Sequence, residues 1–302
     1  MTLSQIQYFL TAARCLSFTT AAKELYMSQP ALGRQISAME DELGVRLFVR
    51  SKSNLQLTPV GTMLRDEFTS FMTQYHGIIQ KVHAMGTENS VLIRIGILEG
   101  YGLGDILPQF LKTCQQEHPQ LMVDIIPLSY SKLNQGLLEG KLDFILTFAH
   151  DVQCIPDVLQ RPLLDIPVYL AYHRDVVEQR NDDERPYQVE NQLFIFDSPE
   201  DSSGDFAMNM AYCEKLGVHP RYKMVDGINS QLFYVRQGYG CGFFAGNCNL
   251  RSDPAILFEA QHELEPLHLV AAWGIHASNP GLHLCVELLK RLIDESPEVQ
   301  NW

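Results

Sequence analysis

The sharpest pattern of apolar and polar positions lies in Ser28–Leu43, SQPALGRQISAMEDEL. Leu32, Ile36, Met39 and Leu43 recur at helical spacing and predict one buried stripe. Ser28 suits the cap, where its hydroxyl can take an orphan amide of the first turn, and Pro30 is tolerated just inside the helix. Gln29, Pro30, Gly33, Arg34 and Ser37 fall on the other faces, which show amides and a guanidinium and no carboxylate until Glu40. Such a surface can read base edges. Upstream, Thr2-x-x-Gln5 is a capping box for a helix that carries Leu3, Ile6, Leu10 and Ala13 as its apolar positions. Ser17 then caps a shorter helix with Phe18, Ala21, Ala22 and Leu25 inward, and Tyr26-Met27 leads straight to Ser28. A lone amphipathic helix is more often a solvated surface than a reading head. The short helix and tight turn before it change that balance and predict a helix-turn-helix, with Ser28–Leu43 as the recognition helix.

After Gly44, the pairs Leu47-Phe48-Val49 and Leu55-Gln56-Leu57 predict two short strands around the basic turn Arg50-Ser51-Lys52-Ser53-Asn54. That is a wing, placed to touch phosphates or the minor groove. Thr58-Pro59 opens the next helix as cap and first residue. Within it Leu64, Phe68, Phe71, Tyr75, Ile78, Val82 and Met85 are spaced alternately four and three apart, a coiled-coil seam of about 40 Å that needs a partner helix. His76 and His83 flank this seam, and two histidines without further ligands are weak evidence for a metal.

Beyond the hinge Gly86–Ser90, strand and helix alternate. Strands are predicted at Val91–Leu98, Leu121–Leu128 and Leu142–Phe148, and helices at Asp105–Gln116 and Lys132–Glu139. This βαβαβ order implies a parallel sheet. A second set follows, with strands near Val168–Tyr172, Leu193–Phe196 and Tyr222–Val225 and helices near Phe206–Leu216 and Asn229–Gln237. A returning strand at Leu267–Trp273 and a closing helix at Gly281–Ile293 complete two α/β lobes. The chain is expected to cross between them near Pro162–Pro167 and again near Glu263–Leu267.

Charge sharpens the division. The whole chain of 302 residues carries −13, which argues against a polyanion partner. Residues 1–65, however, hold seven Lys/Arg against four acids, a net of +3, and the remainder holds 16 against 32, a net of −16. A small basic head on an acidic body fits a DNA-binding unit. No apolar run is long enough to span a bilayer, and MTLSQIQYF lacks the features of an export signal, so a cytoplasmic protein is expected. The seven cysteines form no C-x-x-C pair and read mainly as buried apolar residues. A redox-sensing pair such as Cys241 with Cys248 is the alternative.

At this point the chain resembles the LysR-type transcriptional regulators over its whole length. The specific part is FLTAARCLSFTTAAKELYMSQPALGRQISAMEDELGVRLFVR, with its A-A-x-x-L, S-Q-P-A-L, Q-I, E-x-x-L-G and L-F-x-R, followed by LTPVG. The second half matches more loosely, through IRIG, the L-P of DILPQF, the P of QEHPQL, LLEGKLDF and GYGCG. Gly33 stands where that family usually has serine and Met39 where it has leucine, so base preference at Gly33 cannot be carried over. The resemblance implies a winged helix-turn-helix over residues 1–58, a linker and dimerisation helix with hinge over 59–89, and a periplasmic-binding-protein-like effector domain over 90–302. The last would comprise lobe I (about 90–163 and 267–302) and lobe II (about 164–266), two Rossmann-like α/β units. A homodimer, commonly a homotetramer, and contact with RNA polymerase are likewise implications of the resemblance.

Candidate residues follow. Gln29 can pair with adenine and Arg34 with guanine, while Ser28, Pro30, Gly33 and Ser37 share that face and Arg50, Lys52 and Ser53 of the wing meet the backbone. Leu64, Phe68, Phe71, Tyr75, Ile78 and Val82 would dimerise. Strand ends in open α/β sheets hold ligands, which points to Glu99, Gly100, Tyr101, Ser129, Thr147, Asp197, Ser198 and Asp226 for a small-molecule effector. Helix amides near Asp105 and Ser129 can cradle a carboxylate, whereas Glu99, Asp197 and Asp226 favour a cationic or polyhydroxyl ligand, so the ligand class stays open. Gly100-Tyr101-Gly102-Leu103-Gly104 imitates a dinucleotide fingerprint, but its third glycine would fall at Asp105, and an NAD enzyme is disfavoured. No catalytic triad or metal-ligand spacing stands out, and neither catalytic residues, a metal nor a cofactor are expected. A solute-binding protein would need an export signal and no winged head.

Overall fold

The computed structural model describes residues 1–50, 55–86, 90–153, 155, 157–175, 192–198, 203–297 and 299, apart from the side chains of Arg50, Thr73, His76, Gln80, Lys81, His83, Ala84, Met85 and Ser203. Lys52, Ser53 and Cys154 lie outside the described residues, as do the side chains of Arg50, His76, His83 and Met85. The chain divides into two units, Met1–His76 and Gly77–Trp302.

The first unit holds α1 (Leu3–Cys15), α2 (Phe18–Glu24), α3 (Gln29–Leu43), β1 (Phe48–Arg50), β2 (Leu55–Leu57) and the start of α4 (Pro59–Gly86). Each helix begins where its sequence supplies an acceptor. Thr2 Oγ1 accepts from the Gln5 amide at 3.2 Å and Gln5 Oε1 from the Thr2 amide at 2.9 Å, completing the capping box. Ser17, Ser28 and Thr58 take the amides of Thr20, Ala31 and Gly61 at 3.3, 3.3 and 2.9 Å. Gly44 stops α3 in the left-handed region at φ 70°.

Leu32, Ile36 and Met39 are buried with Phe9, Ala12, Ala21, Ala22, Leu47 and Phe48 in one core. Phe9 sits edge to face with Phe48 and Phe68 at 5.7 and 6.0 Å. Two apolar positions depart from expectation: Leu43 and Leu3 are exposed, because each lies at a helix end beyond the reach of this core. Strands β1 and β2 pair antiparallel, with Phe48 opposite Leu57. A Cβ at Gly61 would stand 2.2 Å from the Leu47 carbonyl oxygen, so only glycine lets α4 lie so close to the strand.

The second unit is built on two five-stranded sheets. Lobe I contains β3 (Val91–Leu98), β4 (Leu121–Leu128), β5 (Phe144–Phe148), β6 (Val158–Ile166) and β12 (Leu267–Gly274), in the order β4-β3-β5-β12-β6. Helices α5 (Ile106–Glu117), α6 (Tyr130–Leu138) and α7 (Ala149–Val152) link its first strands, and α10 (Leu282–Glu295) closes it. Lobe II contains β7 (Val168–His173), β8 (Leu193–Asp197), β9 (Arg221–Val225), β10 (Cys241–Ala245) and β11 (Ile256–Ala260), in the order β11-β7-β10-β8-β9, with α8 (Ser203–Lys215) and α9 (Ile228–Arg236).

Only part of each sheet is parallel. Strands β4, β3 and β5 run together, whereas β12 opposes β5 and β6; in lobe II, β8 parallels β9 and β10, and β7 opposes β10 and β11. The first βαβαβ set, β3, β4 and β5, is parallel as expected, whereas the second departs at β7, because the strands that enter each sheet from the other lobe, β12 and β7, run in reverse. Strands β6 and β7 are almost continuous, with only Pro167 between them. Pro162 is accommodated because β6 is an edge strand and its pairing with β12 shifts register at that point.

Candidate functional site

In the first unit the exposed side of α3 starts with Ser28, Gln29 and Pro30 and continues through Arg34, with Gly33 and Ser37 half-buried beside it. A Cβ at Gly33 would meet nothing within 4 Å, so this position opens into solvent. The opposite side of α3 is fixed by Leu32, Ile36 and Met39 and by a residue the apolar pattern did not reveal. Glu40 is buried, and its Oε1 accepts from the amides of Leu47 and Phe48 at 2.8 and 3.2 Å while Arg46 Nη1 donates to Oε2 at 2.6 Å. This carboxylate ties the last turns of the helix to the first strand of the wing. Its sequence signal is phase: Glu40 lies four residues after Ile36, on the edge of the buried stripe.

The linker helix splits its apolar stripe between two environments. Leu64 and Phe68 pack against the core of the first unit. Tyr75 is half-buried, and Phe71, Ile78 and Val82 stand 45%, 59% and 58% exposed.

In the second unit the lobes meet at the carboxyl ends of β3, β5 and β10. The Gly102 amide donates to Asn247 O at 3.0 Å, the Asn249 amide to Gly100 O at 3.0 Å, and Asn247 Nδ2 to Gly102 O at 3.1 Å. Gly100 takes φ 82° here, and a Cβ on it would strike Ile228 at 2.9 Å. Below this seam lies a cavity of about 20 Å³, room for one water, lined by Ile97, Leu98, Tyr101, Leu103, Thr147, Phe148, Asn247 and Leu269 among others. Asn247 is 9% exposed, and among the described residues its Oδ1 has no hydrogen-bond partner.

Of the residues proposed for the effector, the structure brings Tyr101 and Thr147 to this cavity. Asp197 is fully buried at the end of β8, with Oδ1 accepting from the Ser198 and Gly227 amides at 2.7 and 2.8 Å. Glu99, Gly100, Ser129 and Ser198 border the same strand ends without lining the cavity, and Asp226 is exposed to solvent. Sequence reasoning missed Asn247, His150, Asp151 and Asp205. Thr147 Oγ1 donates to Asp151 Oδ2 at 2.8 Å, Asn209 Nδ2 donates to Asp205 Oδ2 at 3.0 Å, and Tyr101 packs edge to face on Phe148 at 5.2 Å.

Burial holds the Tyr101 and Tyr130 hydroxyls well above the ordinary tyrosine range, helped at Tyr101 by Cys248 and then Asp205 and at Tyr130 by Asp151 and then Tyr101. His150 stacks on Phe148 at 5.9 Å, and burial followed by the charge of His268 lowers its pKa to about 4, so its ring is neutral near pH 7. Cys241 and Cys248, the pair considered for a redox sensor, are not exposed. Cys114, Cys213, Cys241, Cys248 and Cys285 are buried, and burial raises Cys248 to about 12 and Cys213 to about 11, opposite to what a reactive thiolate needs. Among the described residues no three His, Cys, Asp or Glu side chains are placed to hold a metal ion, and no helix is long and apolar enough to cross a membrane.

Comparison with known proteins converges on one family. Residues 3–62 match the model of the bacterial regulatory helix-turn-helix protein, lysR family, and residues 86–299 match the LysR substrate binding domain. The chain is 29% identical over 182 residues to the nitrogen assimilation regulatory protein nac of Klebsiella aerogenes, covering 60% of this chain and 59% of that one. It is 27% identical over 260 residues to the HTH-type transcriptional regulator YtlI of Bacillus subtilis, covering 82% and 79%. It spans about half the length of several other curated relatives it matches. The crystal structure of CbnR, a LysR family transcriptional regulator, superposes with a TM-score of 0.58 at 19% identity over 97% of this chain and 99% of that one, a likeness of fold.

Proposed function

Because the chain belongs to the LysR family of bacterial regulatory proteins, we propose that it is a sequence-specific regulator of transcription that binds double-stranded DNA through its first unit and is modulated by a small molecule held between the two lobes of its second. The observation that carries the reading is the polar side of α3. Ser28, Gln29, Pro30 and Arg34 stand exposed on a helix whose other side is locked into a core, which is the arrangement a major groove demands. Gln29 and Arg34 read bases, each bidentate pair worth about 1–3 kcal/mol of discrimination, and Arg50, Lys52 and Ser53 of the wing position the head on phosphates.

The exposed Phe71, Ile78 and Val82 support pairing of α4 with the same helix of a second copy, so that two heads reach two half-sites. A homodimer, a tetramer of two such dimers, contact with RNA polymerase and residence in the cytoplasm complete the reading, with no cofactor and no catalytic step. Fluorescence anisotropy on operator and random duplexes tests it. Lys52→Ala weakens binding to both and lowers the salt slope by about one unit. Arg34→Ala narrows the gap between specific and random DNA; equal loss on both refutes the assignment of base reading to α3.

A further inference from the structure

The turn between α2 and α3 holds a residue from which the fold gains little. Helix α2 ends in a Schellman motif: the Met27 amide donates to Ala22 O at 2.9 Å and the Tyr26 amide to Lys23 O at 3.2 Å. Met27 then packs on the core of the first unit, which fixes the direction in which the chain enters α3. The motif demands a left-handed backbone at Tyr26, whose φ is 52°. Glycine is usual at that position and asparagine its common substitute, because a bulkier residue is strained against its own following carbonyl.

Burial does not offset the strain. Among the described residues two others that are not glycine share this backbone region, and both differ from Tyr26. Leu16 keeps about half of its side chain covered, being 47% exposed, and Asp157 is of a type that tolerates the conformation. Tyr26 is 98% exposed. A large ring is thus held outward at a conformational cost, with no packing in return, and strain of this kind points to a contact made elsewhere.

The position of the turn says what the ring meets. Ser28, Gln29 and Pro30 follow it directly on the exposed side of α3, where a recognition helix faces base edges. Tyr26 lies within about 7 Å of Ser28 along the chain, and a major groove is about 12 Å wide, so its side chain reaches the sugar-phosphate wall beside the bases. The surroundings suit a polyanion: Lys23 is exposed, and the Glu24 carboxylate is paired with Arg14. A protein partner would want a contiguous apolar patch. Among the described residues of α2, the turn and α3 before Leu43, Tyr26 is the one large apolar side chain that stands exposed.

Resting on the reading of α3 as the helix that enters DNA, we propose that Tyr26 is a DNA-backbone contact. Its phenol O–H donates to a phosphate oxygen flanking the bases that Gln29 and Arg34 face, and its ring lies along the adjoining sugar. Such a contact sets the depth and register of α3 and reads no base.

The test is fluorescence anisotropy of the full chain on a duplex it selects from a random pool and on a scrambled duplex. Tyr26→Phe removes the hydroxyl alone and lowers affinity for both by about fivefold, leaving their ratio unchanged. The slope against salt is unchanged as well, because no charge is lost. Replacing single phosphates by neutral methylphosphonates finds one position in each half-site that weakens the natural chain about fivefold and Tyr26→Phe no further. Tyr26→Gly relieves the turn, so exchange protection of the Met27 amide rises about fivefold while DNA affinity falls at least as far as in Tyr26→Phe. A purely structural tyrosine would not move the two in opposite directions.

Unchanged affinity in both variants overturns the proposal. A narrowed ratio between selected and scrambled duplex in Tyr26→Phe overturns it too, by making the contact one to a base. So does a methylphosphonate scan whose effects simply add to that of the variant. In each of these cases α3 keeps its role. If the natural chain selects no duplex at all, the reading of α3 falls and Tyr26 falls with it.

Discussion

Removing the Glu40 carboxylate unfastens the wing from the recognition helix. Its Oε1 holds the amides of Leu47 and Phe48, both in the core, at 2.8 and 3.2 Å. In Glu40→Ala two buried N–H groups lose their acceptor, at about 1–3 kcal/mol each, and because water enters the vacated space the sum falls near the lower half, about 3 kcal/mol. Glu40→Gln retains an oxygen in the same place and forfeits only charge assistance on two bonds, about 1–2 kcal/mol in all. Arg46 is largely exposed, and Arg46→Ala leaves stability nearly unchanged. Hydrogen exchange at the Leu47 and Phe48 amides of the intact chain reads this locally. Protection falls about a hundredfold in Glu40→Ala and about tenfold in Glu40→Gln. DNA affinity follows in the same order, since α3 and the wing must hold one geometry to engage one site. Retained protection in Glu40→Ala refutes the reasoning. An equal loss in Glu40→Gln shows that the ion pair, not the pair of hydrogen bonds, joins the elements.

Three further outcomes are expected. Gly33→Ser meets no neighbour within 4 Å and removes a helical glycine, so it stabilises the first unit by about 0.5 kcal/mol and alters base preference at one operator position, as read by denaturation and binding-site selection; destabilisation would show that the open space is not open. Ile78→Asp with Val82→Asp places carboxylates on the exposed stripe of α4, and light scattering at micromolar concentration then finds monomers; an unchanged dimer moves the interface elsewhere. His150, with its pKa near 4 when folded against 6.5 in the unfolded chain, costs stability as acid is added: the unfolded chain takes up a proton below pH 6.5 that the folded one refuses until about pH 4. The full penalty is about 3 kcal/mol, and His150→Leu flattens that part of the pH–stability curve; the same slope in the variant assigns it to other groups.

How much of this the sequence carried depends on how local each signal is. The ends of α3 were legible because Ser28, Pro30 and Gly44 act on their own turns. Leu43 was misplaced although its helical phase is right, because phase says which side a residue faces and not whether the core extends that far along the axis. Strand β10 escaped notice because its glycines read as loop. Gly240 and Gly242 are there for close approach, a Cβ on Gly240 lying 2.2 Å from Leu193 O and one on Gly242 3.0 Å from the Phe244 ring. With β10 hidden, so was Asn247, which the strand delivers to the cavity two residues after its end.

The cleft itself shows why strand ends locate a site without listing its residues. Tyr101 and Thr147 follow from the rule that ligands sit beyond carboxyl ends in open sheets. Which acids accompany them is decided by how one lobe is laid against the other, through pairings such as that of Gly102 with Asn247, 145 residues apart. A periodicity can record what a residue contributes to its own element, and Asp226, at a strand end like Asp197, carries the same local signal while standing in solvent. The difference is that Asp197 also closes the turn to Gly227 and is fully buried. Whether an acid at a strand end is buried or solvated is therefore decided by contacts distant in sequence, which no alternation of apolar and polar positions records.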